Sequence, residues 1–309
     1  MANTLGTTLS ATISQRVLDY LKEAIPPVIR MYIDFSDQRA KKGQTITTRI
    51  PGVGAAYDAS SGYTPADVTD VDRSVTASNF KAASALFTVS EMSSTNRDLV
   101  DEHAAPLAST LAEDLLAQFY AVLVDANFTN ATTEAAADVD DDTARLVRKK
   151  LNNRNAPRMG RLGLLNGDAW EAFTGDSLVT NNQSSPSANQ TVSLAPDTML
   201  HRGITWFEAN SLPGNAENLI GAVLAPGSII GATGVPRDAN EDGFADWADV
   251  PKNAAVRVVS DIDEAGEGTG ISLLERRTRK DNGNAQLDYA WIFGFAKGQV
   301  PSAELIQSA

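Results

Sequence analysis

The sequence predicts an α+β protein in which a long helix packs against a long β-hairpin. The helix is indicated by apolar residues that recur at every third or fourth position after Pro106. They are Leu107, Leu111, Leu115, Phe119 and either Val122 or Leu123. The hairpin is indicated by "GISLLERRTR" and "QLDYAWIFGFAKG", which flank the turn-forming pair Asn282-Gly283. A middle third with alternating helix and strand patterns predicts a mixed α/β domain inserted between helix and hairpin.

The lengths of the two elements match. Pro106 is expected in the first turn of a helix of roughly 18 residues, which spans about 27 Å. Each hairpin strand is expected to have about nine residues and to span about 30 Å. The second strand places its large apolar side chains on one face: Leu287, Tyr289, Trp291, Phe293 and Phe295. We therefore expect this aromatic face to pack on the apolar stripe of the helix.

Composition excludes several classes of protein. The chain has 309 residues, a net charge of −13, a pI near 4.6 and no cysteine. The acidic balance argues against gripping a nucleic-acid backbone, because such binding relies on clusters of Lys and Arg. The lack of cysteine excludes disulfides and thiolate chemistry. The longest apolar stretch is far too short to cross a bilayer, so a soluble cytosolic protein without a membrane partner is expected.

Two segments need a surface that the chain does not obviously supply. Residues 1–41 contain an amphipathic stripe, Val17, Leu18, Leu21 and Ile25, on a helix that Pro26 and Pro27 are expected to stop. From residue 42 to about 85, "GQTITTRIP" and "RSVTASNFKAASALFTV" read as two extended runs joined by a polar tip. An isolated two-stranded hairpin is marginal in water, so we expect it to lie on another surface.

The middle of the chain alternates helices and strands after an acidic linker. "TARLVRKKLNN" is a predicted helix capped by Asp142 or Thr143, and "GDAWEAFTG" is a predicted helix ended by Gly175. "RLGLLN", "GITWFEANSLPG" and "AVRVVSD" are predicted strands. The polar stretch from Asp176 to Thr191 is predicted to be a loop.

The stretch "DANEDGFADWAD", Asp238 to Asp249, has the spacing of a twelve-residue calcium loop. Oxygen donors at positions 1, 3, 5, 7, 9 and 12, with a glycine at position 6, can surround a hard cation. The donors here are Asp238, Asn240, Asp242, the carbonyl of Phe244, Asp246 and Asp249. Asp249 stands where a bidentate glutamate is usual, and prolines rather than helices flank the loop, so a solvated acidic turn is the competing interpretation. The sequence predicts Ca²⁺ as a cofactor and no organic cofactor.

Catalysis is not indicated. "GDSL", which contains Ser177, is the nucleophile motif of one esterase family, but that chemistry needs a suitably placed histidine. The two histidines, His103 and His201, do not have the spacing of that family. "GEGTG", Gly266 to Gly270, lacks the lysine of a P-loop and is interpreted as a turn. We therefore predict a protein without catalytic residues.

The order of these elements resembles the major capsid proteins of tailed bacteriophages with the Hong Kong 97-type fold. The resemblance starts with "GQTITTRIP" before an extended loop and "LFTVSEMSSTNRDLVDEHAAPLASTLAEDLLAQF" as return strand and spine helix. It continues through "NAPRMGRLGLLNGDAWEAF" and "LHRGITWFEANSLPG" to the closing hairpin. It covers nearly the whole chain and is one of layout, since the family has no short diagnostic motif.

The resemblance implies a division of the chain and a set of partners. Residues 1–41 would be an N-terminal arm and 42–86 an extended loop on a neighbouring subunit. Residues 87–129 and 252–299 would form the peripheral domain, and 130–251 the axial domain. The implied partners are copies of the chain in hexamers and pentamers, with scaffolding, portal and decoration proteins. The shell would assemble in the host cytoplasm and enclose double-stranded DNA without sequence-specific binding.

Two alternatives stay open. A cellular compartment shell of the encapsulin type would share every element named above, so the fold does not separate it from a capsid. A calcium-dependent binding module is the third interpretation, because the acidic loop also resembles dockerin loops. Dockerins carry that loop twice, each time followed by a helix, whereas this chain has one followed by Pro251.

Overall fold

The computed structural model forms three β-sheets and five helices within the residues that it describes. Those residues are 25, 27–28, 42–50, 60, 71–94, 99–180, 198–236, 254–262, 268–279 and 282–308. The helices are α1 (Val89–Ser94), α2 (Leu99–Tyr120), α3 (Asp141–Asn153), α4 (Gly167–Gly175) and α5 (Ser177–Thr180). Short 3₁₀ turns occupy Ala136–Asp138 and Val300–Ser302.

The strands divide among a ribbon, a five-stranded sheet and a six-stranded sheet. The ribbon consists of β1 (Thr45–Ile50) and β2 (Val71–Thr76). The five-stranded sheet consists of β3 (Asn79–Phe87), β9 (Ile229–Gly234), β10 (Ala254–Ile262), β11 (Gly268–Arg279) and β12 (Ala285–Lys297). The six-stranded sheet consists of β4 (Ala131–Thr133), β5 (Arg161–Leu165), β6 (Thr198–His201), β7 (Ile204–Glu208), β8 (Leu219–Leu224) and β13 (Ala303–Gln307).

The predicted packing of the long helix on the hairpin is confirmed. β11 and β12 pair antiparallel, and the buried side chains of α2 and β12 belong to one hydrophobic core. The rings of Phe119 and Phe295 meet edge to face with centroids 5.5 Å apart. The strands are longer than expected, with 12 and 13 residues rather than nine. Gly268 and Gly270 belong to β11, so they do not form the turn that "GEGTG" predicted.

The helix boundaries differ from the prediction. α2 has 22 residues and begins at Leu99, so Pro106 lies inside the helix and not in its first turn. An interior proline removes one backbone hydrogen bond and crowds the carbonyl of the preceding turn, so packing of the buried stripe that follows must outweigh that cost. The helix ends at Tyr120, but Val122 and Leu123 remain buried in the turns that follow.

The second extended run is two strands rather than one. β2 pairs with β1, and after Ala77 and Ser78 the chain enters β3, which pairs with β12. The two-stranded excursion predicted to reach Ala85 therefore ends at Thr76. The reason is that Ala83 and Ala85 of β3 are buried against α2, which ties this half to the core.

The six-stranded sheet is buried on both faces. Its order is β4-β13-β8-β5-β7-β6, with α3 and α4 on one face and the end of α2 on the other. Leu162 and Leu164 of β5 join the α2 core, whereas Leu165 joins the core beneath α3 and α4. Gly163 is required because a Cβ there would lie 2.2 Å from the ring of Trp206. The "RLGLLN" and "GITWFE" strands and the "GDAWEAFTG" helix are confirmed.

The start of α3, the described part of the N-terminal arm and the character of the helices complete the description of the fold. The N-cap of α3 is Asp140, not Asp142 or Thr143, and Asp140 and Thr143 form a capping box. Of the N-terminal arm, residues 25, 27 and 28 are described, and Ile25 and Val28 are buried in the core around α2, so this part of the arm packs on its own chain. Of the helices in the described ranges, none combines the length and apolar character needed to span a membrane.

Candidate functional site

A buried carboxylate fixes the N-terminal end of α3. Asp141, in the first turn of α3, has a side chain that is only 2% exposed. His201 Nε2 lies 2.6 Å from Asp141 Oδ1, and Arg202 donates to both carboxylate oxygens over 2.8 and 2.7 Å. Arg202 and Gly203 form the two-residue turn between β6 and β7 with φ of 54° and 74°, the type I′ geometry of tight hairpins. This turn aims Arg202 at the helix.

The partners of Asp141 stabilise its charged form. Hydrogen bonds from Arg202, with a smaller contribution from His201, hold the pKa of Asp141 at about 2, below its usual value of 3.8, although burial opposes this shift. The same contact raises the pKa of Arg202. Asp141 is therefore a carboxylate at neutral pH, and α3 begins on a charge that the β6–β7 turn neutralises.

A second buried carboxylate fixes the other end of α3. Glu304, in β13, has a side chain that is 1% exposed. Lys150 donates to its Oε1 over 3.0 Å and Arg154 to its Oε2 over 2.6 Å. The Thr132 hydroxyl of β4 donates to Oε1 over 2.6 Å and accepts a hydrogen bond from Lys150 Nζ over 2.8 Å. Because Lys150 lies in the last turn of α3, its charge also compensates the helix dipole.

We call the contacts of Asp141 and of Glu304 the two clamps of α3. They leave one face of the helix exposed and basic. Arg145, Leu146, Arg148 and Lys149 all point away from the sheet. With Arg202, Asn152, Asn153 and the carboxylate of Asp142, they line an open groove of about 810 Å³. We call this surface, together with Arg158 and Met159 of the following loop, the basic face.

The ribbon is the second exposed feature, and its base is attached to the five-stranded sheet. Val75 and Ala77 are buried with Ile230 and Ile292. Gly294 of β12 makes this possible, because a Cβ on it would lie 2.0 Å from the carbonyl oxygen of Thr76. The ribbon backbone therefore crosses β12 at a glycine.

Beyond its base the ribbon pairs only with itself in the described part of the chain. Its polar face carries a ladder of cross-strand contacts: Thr45 with Thr76, Thr47 with Ser74, and Arg49 with Asp72. Val71 is 42% exposed at the far end of the opposite face, which carries Ile46 and Val75 beside Arg73 and which we call the apolar face. Six residue pairs make a ribbon roughly 20 Å long, too little to be stable alone.

The structure describes only some of the candidate residues predicted from the sequence. Asp238, Asn240, Asp242, Phe244, Asp246 and Asp249 lie outside the described residues, so the calcium loop stays a prediction. The described residues contain no group of three or more potential metal ligands. Ser177 begins the four-residue helix α5, and His201 is buried beside Asp141 with its ring edge-on to Phe173.

The sequence analysis did not predict the two clamps of α3. Seven of the chain's 26 Lys and Arg residues lie between Arg145 and Arg161, and residues 143–167 contain no Asp or Glu. That local reversal of charge in an acidic chain is a signal for the basic face. Glu304 gave no comparable signal, because its partners are about 150 residues away.

No family model and no curated protein matches the chain. Solved structures do match. The capsid structure of cyanophage P-SCSP1u aligns with a TM-score of 0.58 at 11% identity, covering 91% of this chain and 86% of that one. A structure from Mycobacterium phage Che8 aligns with a TM-score of 0.52 at 16% identity, covering 86% and 85%. The chain has the fold of phage capsid proteins.

The capsid fold extends beyond phages. The crystal structure of a virus-like particle from Pyrococcus furiosus aligns with a TM-score of 0.53 at 9% identity, covering 96% of this chain and 98% of that one. The capsid fold here is a mixed α+β architecture with few helices and several sheets, as predicted from the sequence.

Proposed function

We propose that the chain is a structural subunit that assembles into an icosahedral shell, the capsid of a tailed phage, with the Hong Kong 97-type fold. The observation that carries the proposal is the alignment of 91% of the chain with a phage capsid structure. At 11% identity that alignment bears on fold, so the role in assembly rests additionally on the ribbon. A structural role without catalysis is in keeping with the two exposed features, the ribbon and the basic face, which are suited to contacts with other molecules.

In this proposal the ribbon is the main assembly element. Its base is held by Gly294 and Arg73, whose Nε donates to the carbonyl of Gly298 over 3.0 Å, while its far end has no cover from the described part of the chain. A neighbouring copy would cover the apolar face at Val71. Residues 42–76 would then be the extended loop. β3 would join 87–129 and 252–299 in the peripheral domain, because it pairs with β12, and 130–251 would be the axial domain.

The partners follow from this role. Copies of the chain would form hexamers and pentamers, and scaffolding, portal and decoration proteins would complete the particle in the host cytoplasm. The net charge of −13 suits an interior that encloses double-stranded DNA without adhering to it.

Electron microscopy with sedimentation velocity tests the proposal. We expect the wild-type protein to form rings or closed shells. A Val71→Asp variant is expected to fold but to sediment as small species, because it puts a charge on the apolar face. Ser74→Asp, on the polar face of the same strand, is the matched control and is expected to assemble. Assembly of Val71→Asp equal to that of the wild type contradicts the role of the ribbon.

A compartment shell is the second candidate, and the alignment with the Pyrococcus furiosus particle favours it. The contents of the particle distinguish the two. A capsid gene is expected beside genes for a terminase and a portal, whereas a compartment shell is expected beside a cargo enzyme that co-purifies with it.

We also propose, from the sequence pattern alone, that residues 238–249 bind calcium and stiffen a loop. Removing calcium with a chelator is then expected to lower Tm, since a ligand at 100 times its Kd stabilises by about 2.7 kcal/mol. Asp238→Ala combined with Asp242→Ala removes two charged donors and is expected to abolish the chelator effect. An unchanged Tm on chelation, measured by differential scanning calorimetry, would reject the site.

A further inference from the structure

Part of the positive charge of the basic face has no carboxylate partner in the described part of the chain. Arg145 is paired with Asp142 and Arg202 with Asp141, but Arg148, Lys149 and Arg158 form no ion pair there. Arg161 is buried, yet its guanidinium donates to neutral acceptors: Pro157 O at 2.7 Å, and Asn152 Oδ1 and Ala156 O at 2.9 Å. Burial, and then the charges of Arg148 and Arg158, lower the pKa of Arg161. Cations that repel one another in an otherwise acidic chain create a surface that attracts an anionic partner.

The chemistry of the face favours a protein over a nucleic acid. Met159 is 87% exposed and Leu146 is 40% exposed among the arginines. Arginine and methionine are enriched in protein interfaces, whereas contacts to a phosphate backbone use Lys, Arg and polar groups. A face that mixes guanidinium groups with exposed apolar side chains suits an acidic protein surface that also offers an apolar residue.

The chain itself carries such a surface. Asp168 and Glu171 are exposed one turn apart on α4, and Leu178 of α5 is 54% exposed beside them in sequence. We call these three residues the acidic corner. α3 and α4 pack on the same side of the six-stranded sheet, so both surfaces belong to one layer of the fold.

We propose that the basic face of α3 binds the acidic corner of a neighbouring copy, head to tail. Two different surfaces on each copy make a heterologous contact, which closes into rings when the rotation allows it. The inference rests on the proposed shell function and adds to it the residues of a contact between neighbours. The two clamps on Asp141 and Glu304 give the basic face a fixed position for this contact.

Charge reversal tests the contact. Arg148→Glu with Lys149→Glu reverses the basic face at exposed positions, and we expect apparent self-association at least about tenfold weaker. Arg148→Lys with Lys149→Arg keeps the charge and is the control, expected to assemble like the wild type. Circular dichroism and Tm show that each variant folds.

Exchanging the charges identifies the partner surface. Asp168→Lys with Glu171→Lys is expected to block assembly alone, and all four reversals in one chain are expected to restore it. Failure of the folded fourfold variant to assemble overturns the acidic corner as the partner. Unchanged assembly of the Arg148→Glu, Lys149→Glu variant overturns the contact itself. Loss of binding to a 30-base-pair DNA duplex in that variant, with assembly intact, assigns the face to nucleic acid and also overturns the proposal.

A separate readout distinguishes this contact from the shell function. The chain has no cysteine, so Met159→Cys carries a single photo-crosslinker on the basic face. A wild-type protein that forms no higher assemblies contradicts the shell function. At high concentration the crosslinker is expected to capture a peptide containing Asp168 and Glu171 from a second copy, and capture of no second copy overturns the contact.

Discussion

The region around α3 on the six-stranded sheet buries charged side chains in ion pairs, whereas the β1–β2 ribbon leaves both polar and apolar side chains exposed. Around α3, Asp141 and Glu304 are almost fully buried and each is bound by two basic side chains. On the ribbon, polar pairs such as Arg49 with Asp72 are exposed, and Val71 is left uncovered. The first region completes its contacts within one chain, and the second is complete only at its base.

The difference separates stability from assembly. A buried ion pair is strongly destabilising to break, because the remaining charge stays in a medium that solvates it poorly. An exposed pair contributes little, because water already solvates both partners. Substitutions around α3 are therefore expected to change the free energy of unfolding, and substitutions on the ribbon to change association between copies.

The largest expected effect is at Glu304. Glu304→Ala leaves Lys150 and Arg154 beside a cavity without their carboxylate, and we expect a loss of about 3–5 kcal/mol in the free energy of unfolding. Urea denaturation followed by far-UV circular dichroism measures it. The surface control is Asp142→Ala, which removes an exposed ion pair with Arg145. A loss at Glu304 no greater than at Asp142 contradicts the clamp.

Gly294→Ala is expected to have the next largest effect and a different character. The added Cβ overlaps the carbonyl oxygen of Thr76, so the ribbon must shift, at a cost of about 1–3 kcal/mol. Hydrogen–deuterium exchange is expected to accelerate in β2 and to stay unchanged in β5 and β8. Gly175→Ala, where a Cβ meets nothing within 4 Å, is the control. Equal exchange in β2 for both variants would mean that Gly294 does not seat the ribbon.

Asp141→Asn is expected to cost about 2 kcal/mol at pH 7, and the cost depends on pH. The pKa of Asp141 is about 2 in the folded protein against 3.8 ordinarily, so its contribution is present above pH 4. That contribution is lost as the pH falls from about 4 towards 2, where the wild type and the variant are expected to converge. Unfolding midpoints measured at pH 7 and pH 3 check this, and a pH-independent difference argues against a charged clamp.

The smallest effect is expected on the ribbon surface. Asp72→Asn weakens an exposed pair with Arg49, and we expect a change below about 1 kcal/mol in the free energy of unfolding. Thermal unfolding by differential scanning calorimetry measures it. A loss comparable to that of Asp141→Asn means that the ribbon contributes to the stability of the single chain, contrary to the comparison above.

Local periodicity predicted the parts of the fold whose burial repeats along the chain. The stripe from Leu107 to Phe119 and the alternation from Leu287 to Phe295 each report one buried face, and both are confirmed. Pro106 was misplaced because proline is common in the first turn of helices, whereas here burial of the stripe that follows keeps the helix continuous through it.

Pairing between strands that are distant in the chain could not be predicted from local patterns, for a physical reason. The break at Ala77 and Ser78 depends on which strand each half meets, and β13 was missed because its partners β4 and β8 lie far away in the chain. The contacts of Glu304 depend on the same closure. The acidic loop at 238–249 has a local spacing that a sequence can show, and its metal remains a prediction.

The most direct test of assembly through the ribbon is a cryo-electron microscopy reconstruction of the purified wild-type protein at near-neutral pH with millimolar calcium. We predict rings or closed shells in which the apolar face of β1–β2, at Val71, lies on a neighbouring copy. Monomers at every concentration, or a shell in which the ribbon folds back on its own chain, would contradict it.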